Sequence, residues 1–144
     1  MKIRIAQTAS EKEQAFQVRQ TVFVLEQRVP PEEEMDEYDE QSIHFLGVVD
    51  EKPVAASRLR FIDIYGKLER ICVLQSYRGQ SFGKQMIQFM EKYIWENGYT
   101  NAKLNAQTHA LNFYKHLGYK VISDTFLDAG IPHVTMIKEL SKPV

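Results

Sequence analysis

The stretch Leu68-Glu69-Arg70-Ile71-Cys72-Val73-Leu74 leads directly into Gln75-Ser76-Tyr77-Arg78-Gly79-Gln80-Ser81-Phe82-Gly83-Lys84. After it, Gly83, Met86, Ile87, Met90 and Ile94 recur at helical spacing as far as Gly98. The first segment has the length and β-branched content of a buried strand. The second is polar and glycine-bearing, as a turn is, and Gly98 stands where a helix C-terminus stops. Strand, glycine turn and helix aim several free backbone N–H groups, and the positive end of a helix dipole, at one point. An anionic phosphate is favoured there. Arg78 and Lys84 flank the turn and bring charges suited to phosphate oxygens. The same arrangement also serves as plain chain reversal. It carries neither the G-x-x-x-x-G-K-[ST] spacing of a Walker loop nor the dinucleotide G-x-G-x-x-G.

Composition narrows the classes. A chain of 144 residues suits one domain with a sizeable core, and 44% hydrophobic with 26% charged residues is ordinary for a globular protein. The net charge of −1 leaves no excess of lysine or arginine, which argues against nucleic acid as the main partner. Cys72, the one cysteine, lies inside the central apolar run. A lone thiol excludes an intramolecular disulfide, fits a reducing compartment and reads as a small core residue. No N-terminal apolar signal and no long apolar run are present, so the expectation is a cytoplasmic protein without a membrane partner.

The flanking segments supply the remaining elements. Lys2 to Ala6 alternates as a short strand, and Ser10 with Glu13 has the spacing of a capping box. Ala15, Val18, Val22 and Leu25, with Phe16 and Phe23 beside them, predict an amphipathic helix that ends before Pro30-Pro31. Residues 32–40 hold seven acids with Met35 and Tyr38 between them. They read either as a solvated run or as an acidic rim that attracts a cationic substrate. Strands are predicted at 43–49, 54–62 and 68–74, joined by short turns as an antiparallel meander. The helix over 81–97 leads to a strand at 102–106, and a helix between two strands makes that pair parallel. A second short helix carries Ala110, Phe113, Tyr114 and Leu117 up to Gly118. Closing strands follow at 119–122 and 133–137, separated by a loop from Asp124 to Pro132.

This order resembles the GNAT superfamily of N-acetyltransferases over nearly the whole chain. The family pattern [QR]-x-x-G-x-[GA] lies over Arg78-Gly79-Gln80-Ser81-Phe82-Gly83, and A-x-x-F-Y-x-x-x-G-[FY] is matched at Ala110, Phe113, Tyr114, Gly118 and Tyr119. Arg19-x-x-Val22-Phe23-Val24-x-Glu26-Gln27 is similar to a small bacterial subgroup of that family. Ser81 departs from the pattern by standing where the family's first motif glycine usually sits. A position already in the helix's first turn, with negative φ, would make glycine unnecessary. Gln107 stands where the family often has asparagine.

The resemblance implies one α/β domain over residues 1–144. Its sheet is mixed and mostly antiparallel, flanked by helices, with a parallel pair around an acyl-CoA cleft. It implies acetyl-CoA, or another short acyl-CoA, as donor and an unidentified acceptor, a small-molecule or peptide amine, with no metal. The pyrophosphate would lie on the amides of Gly79, Gln80, Ser81, Phe82, Gly83 and Lys84, beside Arg78. The pantetheine arm would bond backbone groups near Ile71 and Val73 as an added strand does, with Gln107 across from it. A Val73 N–H would stabilise the oxyanion, and Tyr114 would protonate the departing thiolate. Without the family, Phe113-Tyr114 reads as a core-facing aromatic pair. The acceptor's proton is assigned to Glu69 or His133, with Glu69 preferred for its strand position. Glu69 shares a strand face with Ile71 and Val73, and His133 follows Ile131-Pro132 at a strand mouth. A homodimer is compatible with all of this. Two other classes compete: an acyl-CoA-binding regulatory module without turnover, and a protein-interaction domain docking through the acidic run.

Overall fold

The computed structural model describes residues 1–143. In chain order the main elements are β1 (Lys2–Ile5), α1 (Ala9–Arg19) with a π-helical continuation (Gln20–Glu26), the single turn α2 (Pro31–Glu34), β2 (Ile43–Val49), β3 (Lys52–Ile62), β4 (Tyr65–Val73), α3 (Phe82–Glu96), β5 (Asn101–Gln107), α4 (Leu111–His116), β6 (Lys120–Val121), β7 (Phe126–Asp128) and β8 (Ile131–Glu139). One sheet joins the strands in the order β1-β2-β3-β4-β5-β8-β6, with β7 also paired to β8. Its pairings are antiparallel except β4 with β5. The expected meander and parallel crossover are both present.

Several boundaries differ from expectation for local reasons. The first helix is capped by Thr8 and Glu11, not by Ser10 and Glu13: Glu11 N donates to Thr8 Oγ1 at 3.0 Å, and Thr8 N donates to Glu11 Oε1 at 3.1 Å. Beyond Arg19 the helix widens to π turns, whose i→i+5 bonding shifts the apolar face. Val22 therefore stays buried while Leu25, expected in the core, is 69% exposed. The loop expected from Asp124 to Pro132 is instead a hairpin, turned by Ala129 and Gly130 at φ +51° and +76°. Positive φ at both positions matches the right-handed twist of the paired strands.

The core lies on both faces of the sheet. Helix α3 buries Phe82, Met86, Ile87, Met90 and Ile94 against one face, where Phe45, Leu59, Leu68, Leu104 and Met136 meet it. Each such side chain contributes roughly 1.5–3 kcal/mol. On the other face Ala15, Val18 and Val22 cover Leu46, Val48, Ala56 and Cys72. Gly66 is where α3 approaches β4 most closely, since a Cβ there would meet Ile94 at 2.5 Å.

One feature of the sheet creates the site. β4 and β5 pair from Tyr65 opposite Asn101 only as far as Leu68 opposite Leu104. Between Glu69 and Cys72, β4 sets two residues, Arg70 and Ile71, against the single Ser57 of β3, a bulge in which Arg70 takes φ +56°. A bulge bends its strand, and the rest of β4 leaves β5. The two strands open a cleft with an unpaired backbone edge on each side.

Candidate active site

Two cavities meet in this cleft. One, of about 910 Å³, is lined by Val73, Arg78, Gly79, Ser81, Phe82, Gly83 and Lys84, among others. The other, of about 630 Å³, opens on the side of Glu32, Glu33, Tyr38, Arg60, Lys67, Glu69, Arg70 and His133. Gln27, Ile71, Gln107, His109, Tyr114 and Ile131 line both. A molecule in the first cavity and a molecule in the second would therefore touch at this seam.

The first cavity is bounded by the N-terminal turn of α3 and by the open edge of β4. Gln85 N donates to Ser81 O at 3.0 Å and begins the α3 ladder, so the amides just before it have no intrahelical acceptor. Gly79 takes φ +82° and Ser81 φ +63°. The expected negative φ at Ser81 is thus corrected: serine occupies the left-handed position as the N-cap of α3, a conformation glycine adopts at less cost. Gln80 is exposed and does not line the cavity. Leu74 N donates to Val54 O at 2.9 Å, and strand alternation then turns the Val73 N–H and C=O the other way, into the cleft.

Arg78 is not free to meet a phosphate. Its Nη atoms hold both oxygens of Glu26 at 2.7 and 2.8 Å, and its Nε donates to Val73 O at 2.9 Å. Gln107 sits in a hydrogen-bonded chain across the seam. It donates through Nε2 to Gln27 Oε1 at 2.9 Å, and its Oε1 is 2.6 Å from His109 Nε2. Glu26, Gln27 and His109 were not singled out as site residues from sequence. The first two lay inside the quoted Arg19-to-Gln27 segment, and that was the available signal.

Tyr114 projects from α4 to the seam, packed edge-on against Phe113 and Tyr119. Its hydroxyl makes no hydrogen bond among the described residues, and burial pushes its pKa up to about 12. His133 is 8% exposed and stacks on Phe126. Its Nδ1 lies 2.6 Å from the Ile131 carbonyl, an acceptor only, so in the neutral ring Nδ1 carries the proton and Nε2 the lone pair. Glu69 is differently placed. It accepts from Arg60 Nε at 2.6 Å and Arg58 Nε at 3.1 Å, with Lys67 Nζ at 3.4 Å. Burial opposes its ionisation, but the Arg60 hydrogen bond and the Arg58 and Lys67 charges outweigh burial and lower its pKa to about 2. A carboxylate held so firmly ionised is a counter-ion, and a weak proton acceptor near neutrality.

The acidic run is neither a solvated stretch nor a plain rim. Glu34 and Asp39 are buried on Arg19 at 2.7 Å each, and Asp36 pairs with Arg58 at 2.7 Å and Arg70 at 3.3 Å. His44 Nε2 donates to Asp39 O at 2.7 Å. Glu32, Glu33 and Glu37 stay exposed, and the first two line the second cavity. Cys72 is buried, and burial raises its thiol pKa to about 12, as suits a core residue.

The acetyltransferase (GNAT) domain model matches residues 6–140, and the chain belongs to this family. It is 49% identical over 140 residues to the uncharacterized N-acetyltransferase YjcF of Bacillus subtilis, covering 96% of this chain and all of that protein. The crystal structure of Escherichia coli ElaA superposes with a TM-score of 0.83 at 26% identity, covering 96% of this chain and 99% of ElaA. A GNAT acetyltransferase from Elizabethkingia anophelis, solved with acetyl-CoA bound, shares the fold at 16% identity with a TM-score of 0.74, covering 96% of this chain and 97% of that one.

Proposed function

We propose that this acetyltransferase moves an acetyl group from acetyl-CoA to a primary amine by direct attack at the seam of the two cavities. The observation that carries the reading is the splayed β4–β5 pair, with Tyr114 at the point where the two cavities join. Gly79 and residues 81–84 offer backbone amides to the pyrophosphate, and Val73 offers its N–H on the strand edge. Acetyl-CoA supplies a thioester whose carbonyl carbon bonds to the amine nitrogen as its C–S bond breaks.

The chain's own groups handle the charges. The Val73 N–H faces the oxygen that becomes anionic, a contribution on the order of 10²–10³ in rate for such a donor. His133 Nε2 takes the proton the amine must lose. Glu69, the other sequence-level candidate, serves the cluster around it instead. Tyr114 keeps its proton at neutral pH because its pKa is near 12, and it donates to the departing sulfur. Arg78 reaches the phosphates only by leaving Glu26, so its share in donor binding is smaller than its sequence position suggests. Gln107 orders the seam with Gln27 and His109.

The same reading takes residues 1–144 as one domain. A buried, unreactive lone cysteine agrees with a reducing cytoplasm, and no helix among the described residues is long and apolar enough to cross a membrane. Calorimetry with acetyl-CoA followed by thiol release with a panel of amines tests the assignment. Binding with release is the expected result. Binding without release under any amine would indicate a cofactor-binding module, and no binding would indicate an interaction domain.

A further inference from the structure

The second cavity is lined by four cations, Arg58, Arg60, Lys67 and Arg70, and by six carboxylates, of which Glu34, Asp36 and Glu69 pair with those cations. Arg19, Arg58, Arg60, Lys67 and Arg70 form one connected cluster with Glu34, Asp36, Asp39 and Glu69, five positive charges against four negative. The imbalance gathers where β4 and β5 part. Glu69 is the one carboxylate that pairs with Arg60 and Lys67 among the described residues, and Lys67 holds it only at 3.4 Å. Cross-strand register sets Lys67 opposite Arg60 on one side and Lys103 on the other, three cations abreast on neighbouring strands. Like charges placed opposite one another destabilise a sheet unless something neutralises them. Arg60 is fixed for such a task, its guanidinium stacked 3.9 Å over the Tyr38 ring. Arg70 spends its Nε and one Nη mainly on the Glu33 and Glu34 carbonyls. Burial and the neighbouring Arg58 and Arg19 charges lower its pKa, against the opposing pull of Asp36 and Glu34.

We propose that Arg60, Lys67 and Arg70 form an anion subsite in this cavity, and that the acceptor is an amine carrying an oxyanion, a carboxylate or a phosphate. The proposal rests on the acetyl-transfer reading above. Lys67 precedes Ile71 by four residues, about 13 Å of extended strand. The acceptor's anionic end thus binds near the strand junction while its nitrogen reaches the seam. Glu32, Glu33 and Asp128 line the same cavity without a salt bridge among the described residues, which suits the ammonium end of such a molecule.

The test uses pairs of acceptors that differ only in the anion: 4-aminobutyrate against butylamine, 6-aminohexanoate against hexylamine, and O-phosphoethanolamine against ethanolamine. The parent's kcat/KM should favour the anionic member of a carboxylate or phosphate pair by tenfold or more, and which pair does so identifies the anion. Lys67→Met should reduce that ratio by about ten- to a hundredfold, the weight of a charge-assisted hydrogen bond, and Lys67→Arg should retain most of it. Amines lacking the anion used equally well, or an unchanged ratio in a folded Lys67→Met protein, would overturn the subsite. A second readout separates this outcome from failure of the transfer reading. CoA-saturated protein is titrated calorimetrically with 6-aminohexanoate, hexylamine and O-phosphoethanolamine. If no amine releases thiol, the transfer reading fails, whereas binding of an anionic member that is lost in Lys67→Met still supports the subsite. If none of the anionic members binds, the subsite is refuted.

Discussion

At the scale of single residues, the two candidate bases are separated by their neighbours. The sequence favoured Glu69 over His133, because strand alternation predicts which face a side chain takes but not which cations wait there. Arg58 and Arg60 reach Glu69 from β3, eleven and nine residues away, at a register fixed by the bulge. His133→Ala should therefore remove the acidic limb of the kcat/KM pH profile, once the acceptor's own titration is subtracted, while Glu69→Gln should keep it. Retention of the limb in His133→Ala would point to an ordered water chain. Tyr114→Phe should leave acetyl-CoA affinity nearly unchanged and slow turnover, by as much as the ~10²–10⁴ of a positioned general acid. An unchanged rate, with chemistry limiting, would remove Tyr114 from the mechanism. Its role was legible because five motif positions at fixed spacing marked it. The chain through Gln27, Gln107 and His109 was not, since it joins side chains 80 residues apart.

At the scale of elements, the turn before α3 was correctly located and its backbone was misjudged. Residues 78–84 alone contain the signal for a phosphate site, yet whether Ser81 lies inside the helix or just before it depends on a single dihedral angle. At φ +63° serine bears a strain that glycine does not. Ser81→Gly should raise stability by about 0.5–1 kcal/mol, or ~2–4 °C in Tm, and leave acetyl-CoA binding in place. A lower Tm would mean the hydroxyl has a role that outweighs the strain. Gly83 differs, for its φ is ordinary and a Cβ there would meet only Phe113 Cζ at 3.6 Å. Gly83→Val should thus fold normally and weaken acetyl-CoA binding in calorimetry, by crowding the path to the α3 amides. Equal affinity in a folded variant would mean the pyrophosphate lies elsewhere. The π-helical turn had no counterpart in the sequence pattern, because apolar spacing cannot distinguish one extra residue per turn from an ordinary helix near its end.

At the scale of the whole molecule, meander, crossover helix and parallel pair followed from strand lengths and the short turns between them. The acidic run was illegible for the opposite reason: its partners, Arg19, Arg58 and Arg70, come from three other elements. Those ion pairs tie α1, the 32–40 segment, β3 and β4 into one charged layer beneath the second cavity. Breaking such a pair by removing one partner leaves a buried charge uncompensated, and Arg19→Leu should cost about 3–5 kcal/mol for that reason. The same layer predicts how stability responds to acid. Glu69 has its pKa lowered from 4.5 to about 2, and Asp39 is also lowered, the Arg19 hydrogen bond overcoming burial. A carboxylate whose folded pKa lies below its unfolded one contributes stability that is complete above the unfolded value. That contribution is lost as pH falls toward the folded one, because the unfolded chain binds protons the native state refuses. Unfolding free energy from urea titrations should therefore decline between about pH 4.5 and pH 2, by up to ~1.4 kcal/mol per pH unit for each such group. Glu69→Gln should be less stable than the parent at pH 7 and should also decline less steeply across that window, having lost one titrating group. Parallel curves for the two proteins would mean that Glu69 is not held ionised by its arginines, and its dismissal as a base would fall with them.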